Sequence, residues 1–134
     1  MTIFEKVKSL ELPTNQYVVF GSGPLAAHRI REAGDIDLFV TTELFEELKS
    51  RGWEVHKFKA DSVEYLVHGD FEVLLNWKFG DYNPTVEELI AVSEIINGVP
   101  FAPLTEVLKW KKIHGRHKDL RDVRLIEAHL AKQG

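Results

Sequence analysis

The sequence predicts an α/β (α+β) domain: a mixed sheet of about five strands, helices packed on it, and two helices closing the chain. Three observations carry this expectation. Tyr17–Phe20 and Ile36–Thr41 are short apolar runs of strand length, separated by a stretch that opens at Pro24 and closes at Gly34 as a helix would. Trp53–Phe58, Val63–Val67 and Phe71–Trp77 follow one another with turn residues between them, as in a meander. From Leu104 onward the apolar residues recur with helical spacing, interrupted at Gly115.

In chain order, Thr2–Leu10 reads as a short amphipathic helix with Ile3, Val7 and Leu10 on one face, ended by Pro13-Thr14-Asn15. Tyr17–Phe20 is a continuously apolar strand of the buried kind. Pro24–Ala33 is expected to be a helix, with Gly34 as its left-handed cap. Ile36–Thr41 is the second strand, and Thr42–Arg51 a helix capped by Thr42 and ended by Gly52. After the three strand-like runs, Asp81–Pro84 forms a loop and Val86–Ile90 a helical turn. Ala91–Ile96 and Val99–Phe101 then flank Asn97-Gly98, a strong hairpin signal. The closing helices span Leu104–His114 and His117–Ala131, the second with a stripe of Leu120, Val123, Ile126 and Leu130.

Residues 1–134 are long enough to bury one core, and 44% apolar with 28% charged residues is ordinary globular composition. No run of 18 apolar residues is present, so no membrane span or membrane partner is expected. The N-terminus lacks the layout of a signal peptide, and the absence of cysteine suits the cytoplasm. The net charge of −4 conceals an asymmetry: residues 109–134 carry eight basic and three acidic groups, the rest nine basic and 18 acidic. A basic C-terminal segment opposite an acidic body would favour a phosphate-rich ligand between them, although on composition alone two helices with solvated charged faces are the better explanation.

Chemistry concentrates at two places. Gly21-Ser22-Gly23 lies where a strand runs into a helix, and N–H groups at such a junction favour an anion. Asp35-Ile36-Asp37 opens the next strand, so alternation puts both carboxylates on one face while Ile36, Leu38 and Val40 face the core. Two like charges that close repel unless a cation joins them, and Mg²⁺ takes few carboxylates while leaving positions for phosphate. A third carboxylate is expected from a neighbouring strand. Glu72 is preferred because its strand is the more continuously apolar; Glu64, in Val63-Glu64-Tyr65, is the competitor.

Gly21-Ser22, an Asp-x-Asp pair opening an apolar strand, and a later acid within an apolar strand together resemble the nucleotidyltransferase superfamily of the DNA polymerase beta type. The likeness is to its small bacterial members, the minimal, antibiotic and abortive-infection nucleotidyltransferases. Trp110–Asp122, with Lys111, Gly115-Arg116, Lys118-Asp119 and Asp122, resembles the Lys…Gly-Arg-x-Lys-Asp-x-x-Asp segment near the end of many such proteins. The matching parts run from about Tyr17 to Leu130. The resemblance implies a nucleotidyltransferase-like fold and transfer of a nucleoside monophosphate from an NTP, ATP or CTP, to a hydroxyl of a small molecule, protein or RNA. It implies Mg²⁺ or Mn²⁺ held by Asp35, Asp37 and Glu72, phosphates held by Gly21 and Ser22, and triphosphate charge neutralised by Lys111 or Lys118. This chain departs from the pattern in having Gly23-Pro24 after Gly-Ser, and Glu where many relatives have Asp.

Other readings compete. Lys118 and Asp122 have the i, i+4 spacing of a surface ion pair. Gly21–Ala26 fits the dinucleotide fingerprint Gly-x-Gly-x-x-Ala, but the acids here precede the second strand's apolar run instead of following it. A Walker A loop is excluded because no Lys-Ser/Thr follows the glycines. The six histidines form no convincing metal pattern, and Trp53, Trp77 and Trp110 read as core or interface aromatics. A non-catalytic alternative is a nucleotide-binding sensor, or the antitoxin half of a pair with a toxin protein as partner.

Overall fold

A computed structural model describes residues 1–133. Among them, six helices flank a seven-stranded open sheet ordered β3-β4-β5-β2-β1-β7-β6. In chain order these are α1 (Ile3–Lys8), β1 (Tyr17–Phe20), α2 (Gly23–Ala27), β2 (Ile36–Val40), α3 (Thr42–Ser50), β3 (Glu54–Lys57), β4 (Glu64–His68) and β5 (Phe71–Leu74). Then follow α4 (Val86–Ala91), β6 (Glu94–Ile96), β7 (Val99–Phe101), α5 (Leu104–His114) and α6 (His117–Gln133). The sheet is mixed: β2 runs antiparallel to β1 and parallel to β5, and β1 is parallel to β7. No helix among the described residues is long and apolar enough to cross a membrane.

Two cores lie on opposite faces of the sheet. On one, Val19, Leu38, Val40 and Val73 meet Val7 of α1 and Leu44, Phe45 and Leu48 of α3. On the other, Val18, Phe20 and Phe39 meet Leu25 of α2, Leu89 of α4, Val107 of α5 and Ile126 of α6. Burial on both faces explains why β1 is apolar at every position.

The expected five strands become seven because the Asn97-Gly98 hairpin joins the sheet through β7 instead of standing apart. Asn97 and Gly98 both have positive φ, 50° and 82°, as a two-residue turn of type I′ requires. The meander β3-β4-β5 forms as expected. Two caps differ from expectation. Thr41, not Thr42, caps α3, accepting the Leu44 N–H at 3.3 Å.

The larger difference is in α2, which stops at Ala27 and not at Ala33. Ile30 N–H reaches the Leu25 carbonyl and Arg29 N–H the Ala26 carbonyl, the paired bonds of a Schellman ending. Arg29 therefore takes the left-handed conformation (φ 59°) that the sequence led us to expect of Gly34. Ile30 packs in the same core as Leu25, which holds the ending in place despite the wrong residue type at the cap. The early stop leaves residues 30–35 without regular structure, and that segment carries Arg31 to the far side of the site.

Candidate active site

Strand pairing brings the predicted carboxylates together. Asp37 faces Glu72 across the parallel β2–β5 pair and Phe20 across the antiparallel β1–β2 pair. The Asp37 and Glu72 carboxyl groups are close enough to share a hydrogen bond. Asp35, exposed on the bend before β2, adds its charge from the same side. Glu64 lies elsewhere: it faces Lys57 on β3 and accepts a 2.9 Å hydrogen bond from Lys49 of α3. By register Glu72, and not Glu64, is the acid that neighbours Asp37.

The turn after β1 lies directly against this pair. Gly21 has φ 67°, and a Cβ there would collide with Asp37 Oδ2. Gly23 is equally constrained, since a Cβ would strike the Val19 side chain. Both glycines are needed for the turn to lie flat on the strand ends. The Ser22 hydroxyl donates to the Asp35 carbonyl at a long 3.4 Å, tying the turn to the residue that opens the second motif.

Burial pushes the Asp37 carboxyl up to about 7, reinforced by the charge and hydrogen bond of Glu72 and by the charge of Asp35; only Lys111 opposes the shift. Near neutral pH Asp37 is thus still partly protonated in the absence of a cation. The excess of acid over base at this spot is a local electrostatic deficit that a bound cation would relieve.

A second charged cluster stands behind the first. The Lys111 ammonium, on a side chain 6% exposed, lies 2.9 Å from Asp122 Oδ2 and 3.6 Å from Asp119 Oδ1. Arg31 clamps Asp122 with two 2.7 Å hydrogen bonds, Nε to Oδ1 and a terminal nitrogen to Oδ2. Asp119 accepts from the Arg116 guanidinium at 2.7 and 3.2 Å and from the Arg116 N–H at 3.2 Å, with His114 Nδ1 3.0 Å away. Burial pushes both carboxyls up, but the hydrogen bonds and cations around them outweigh it and hold both below the usual range.

This arrangement changes the expected roles of the lysines. Lys111 is a counter-ion to buried aspartates first, and its charge still reaches Asp37. Lys118 is exposed at the start of α6, and among the described residues no ion pair joins it to Asp122, which is buried and faces Lys111 and Arg31 instead. Among the described residues half of the basic groups of the C-terminal segment are thus held in ion pairs. Lys112 pairs with Glu127, Lys109 with Glu106, and Arg116 with Asp119. Lys118, Arg121, Arg124 and Lys132 remain on the surface.

Sequence reasoning missed Arg31, because it assigned that residue to a helix that ends earlier. The signal for Asp119 and Asp122 lay in their i, i+3 spacing, which puts both on the side of α6 that meets α5.

Among the described residues no group of three His, Cys, Asp or Glu side chains is placed to hold a metal ion. Asp37 and Glu72 by themselves are two neighbouring hard oxygen ligands, the number Mg²⁺ takes from a protein when water and phosphate complete its shell. Comparison with protein-family models, curated proteins and solved structures returned no match.

Proposed function

We propose that the protein is a Mg²⁺-dependent nucleotidyltransferase that moves a nucleoside monophosphate from an NTP to a hydroxyl acceptor. The observation that carries this reading is the pairing of Asp37 with Glu72 at the point where the turn Gly21-Ser22 lies against Asp37, with no side chain at Gly21. A carboxylate pair beside a glycine turn is what a reaction at phosphorus needs. One part takes charge and protons, and the other lets phosphate oxygens approach the backbone.

The residues divide the work as follows. Gly21 and Ser22 receive the β- and γ-phosphates, aided by N–H groups at the start of α2 that have no partner within the helix. Asp35, Asp37 and Glu72 hold the cation. Bound Mg²⁺ would supply charge for the phosphates and acidity for the attacking hydroxyl. The acceptor oxygen forms a bond to the α-phosphorus, the bond from that phosphorus to the β-bridging oxygen breaks, and pyrophosphate departs. The acceptor's proton passes to a carboxylate of the Asp37–Glu72 pair, the base nearest the site. Lys111 keeps positive charge behind Asp37 and, through Asp122, fixes Arg31 and the segment leading into β2.

Incubation with γ- and α-labelled NTPs, Mg²⁺ and a cell extract tests the reading. The expected result is an acceptor carrying the α-label with release of labelled pyrophosphate. Binding of NTP without any transfer of label would instead support the sensor or antitoxin reading.

A further inference from the structure

Two residues along β5 from Glu72 opens a cleft of about 510 Å³ that combines the aromatic side chains of Phe58, Trp77, Phe79, Trp110 and His114 with the polar groups of Asp61, Glu64, Asn76 and Lys78. Its size falls within the range of small-molecule sites, about 300–1,000 Å³. The rings pack on one another, Trp77 and Trp110 5.2 Å apart, Phe79 and His114 4.2 Å, Trp110 and His114 5.0 Å, so a flat ligand would lie on their outward faces. Phe58 and Phe79 are each 40% exposed, which is costly for a phenyl ring and leaves an apolar rim. Trp77 is buried, yet its indole Nε1–H has no hydrogen-bond partner among the described residues. An unpaired buried donor costs about 1–3 kcal/mol. That N–H is covered as the ring now stands, so a ligand acceptor atom would meet it after a tilt of the indole.

The position is as informative as the lining. Leu74 follows Glu72 by two residues on β5 and so shares its face, and the Trp77 ring stacks 4.5 Å from Phe20, the cross-strand neighbour of Asp37. In the sheet order β4-β5-β2-β1, the Gly21-Ser22 turn belongs to the β1 side of the aspartates, whereas the cleft is walled by β5 and the β3–β4 turn. Trp77 and Trp110 also reach Phe20, next to Gly21, so the cleft runs from the β5 side along the sheet face that carries Asp37.

We infer that the cleft binds the acceptor, a hydroxyl-bearing compound built on a flat heteroaromatic ring of nucleoside type. Stacking on the aromatic walls would hold the ring, with one edge acceptor for the Trp77 N–H, while the hydroxyl reaches toward Glu72. The assignment to the acceptor rests on the transferase reading above; capture of the ring does not.

The test is quenching of the intrinsic tryptophan fluorescence by adenosine and by cytidine, without Mg²⁺, in the full chain and in Phe79→Ala and Phe58→Ala variants. Both positions are on the rim, so the variants keep the core. Saturable quenching is expected, weakened about fivefold or more in each variant, as the loss of one base-stacking surface implies. Binding of Mg²⁺-ATP, measured separately, should be unchanged in both variants and lost in Asp37→Asn, which should still bind nucleoside. Absence of saturable quenching by either nucleoside, or equal affinity in all three proteins, overturns ring capture. Parallel weakening of nucleoside and Mg²⁺-ATP in the rim variants assigns the cleft to the donor's base and overturns the acceptor assignment. Nucleoside binding with no Mg²⁺-dependent NTP binding in the unmodified chain contradicts the transferase reading and the acceptor assignment while leaving ring capture standing.

Discussion

Asp37 and Glu72 stand opposite each other on neighbouring parallel strands, their carboxyl groups sharing a hydrogen bond. Folding creates this contact, since the two residues are far apart in the chain and strand register alone brings them together. The contact is unfavourable when both groups are charged. It therefore has consequences for stability as well as for chemistry.

Asp37 sets the first prediction. Its folded acidity lies near 7 against an ordinary 3.8, so between those values the folded chain holds a proton that the unfolded chain has lost. Stability must then fall as pH rises from about 4 to 7, by up to about 4 kcal/mol at about 1.4 kcal/mol per unit. Asp37→Asn removes the penalty. Thermal unfolding should show the variant more stable than the parent at pH 8, with the advantage shrinking toward pH 5. A variant less stable at pH 8 would show that the carboxyl is not held in an unfavourable place.

Glu72 and Glu64 have similar local sequence and opposite surroundings. Glu72→Gln should lower transfer by about 10²–10⁴-fold, the range for loss of an acid–base group. Glu64→Gln, which breaks an ion pair with Lys49 and touches the cleft wall but not Asp37, should cost far less than Glu72→Gln. Rates from the two purified variants decide this, and equal loss in both would contradict the register argument.

Much of this was legible in the sequence because it depends on local periodicity. Alternation set Asp37 on the face opposite Ile36 and Leu38, although Asp35 lies on the bend before the strand and not in it, and the apolar run after Phe71 pointed to a strand central enough to lie beside Asp37. Gly115 was readable as a helix break because its left-handed φ of 65° is one that glycine adopts without strain. The early end of α2 was not readable. It places an arginine at a left-handed position, against local preference, and is fixed by Ile30 packing against the core and Arg31 reaching Asp122. Tertiary contacts override propensity there. The seventh-strand count was hidden for a similar reason, since the hairpin signal shows a turn but not the edge to which it attaches.

Arg29 carries the third prediction. A non-glycine residue in the left-handed region costs about 1–2 kcal/mol, partly offset by the greater freedom of glycine in the unfolded chain. Arg29→Gly should therefore stabilise the fold by about 0.5–1 kcal/mol, raising the melting temperature by about 2–4 °C. Destabilisation on calorimetric scanning would mean that the Arg29 side chain contributes a contact outweighing its backbone strain.

Asp122 is the common partner of Lys111 and Arg31, so its loss should be felt by both. Removing one side of a buried pair typically costs about 3–5 kcal/mol, and Asp122→Ala is expected in that range by urea unfolding. Its depressed acidity adds a pH signature: the stabilisation is complete above the ordinary carboxyl range, near 4, and is lost as pH falls through the lower folded value. Asp122→Asn should flatten the acid limb of the stability curve. An acid limb identical to the parent's would place the acid sensitivity elsewhere.

The most direct measurement of the central claim is titration calorimetry of the doubly substituted Asp35→Asn, Asp37→Asn protein against the parent, with ATP and CTP, in the presence and absence of Mg²⁺. Binding by the parent that depends on Mg²⁺, and its loss in the variant with the fold intact by circular dichroism, is the predicted result. Nucleotide binding that is independent of the metal and unchanged by the two substitutions would contradict a carboxylate-held Mg²⁺ at this site.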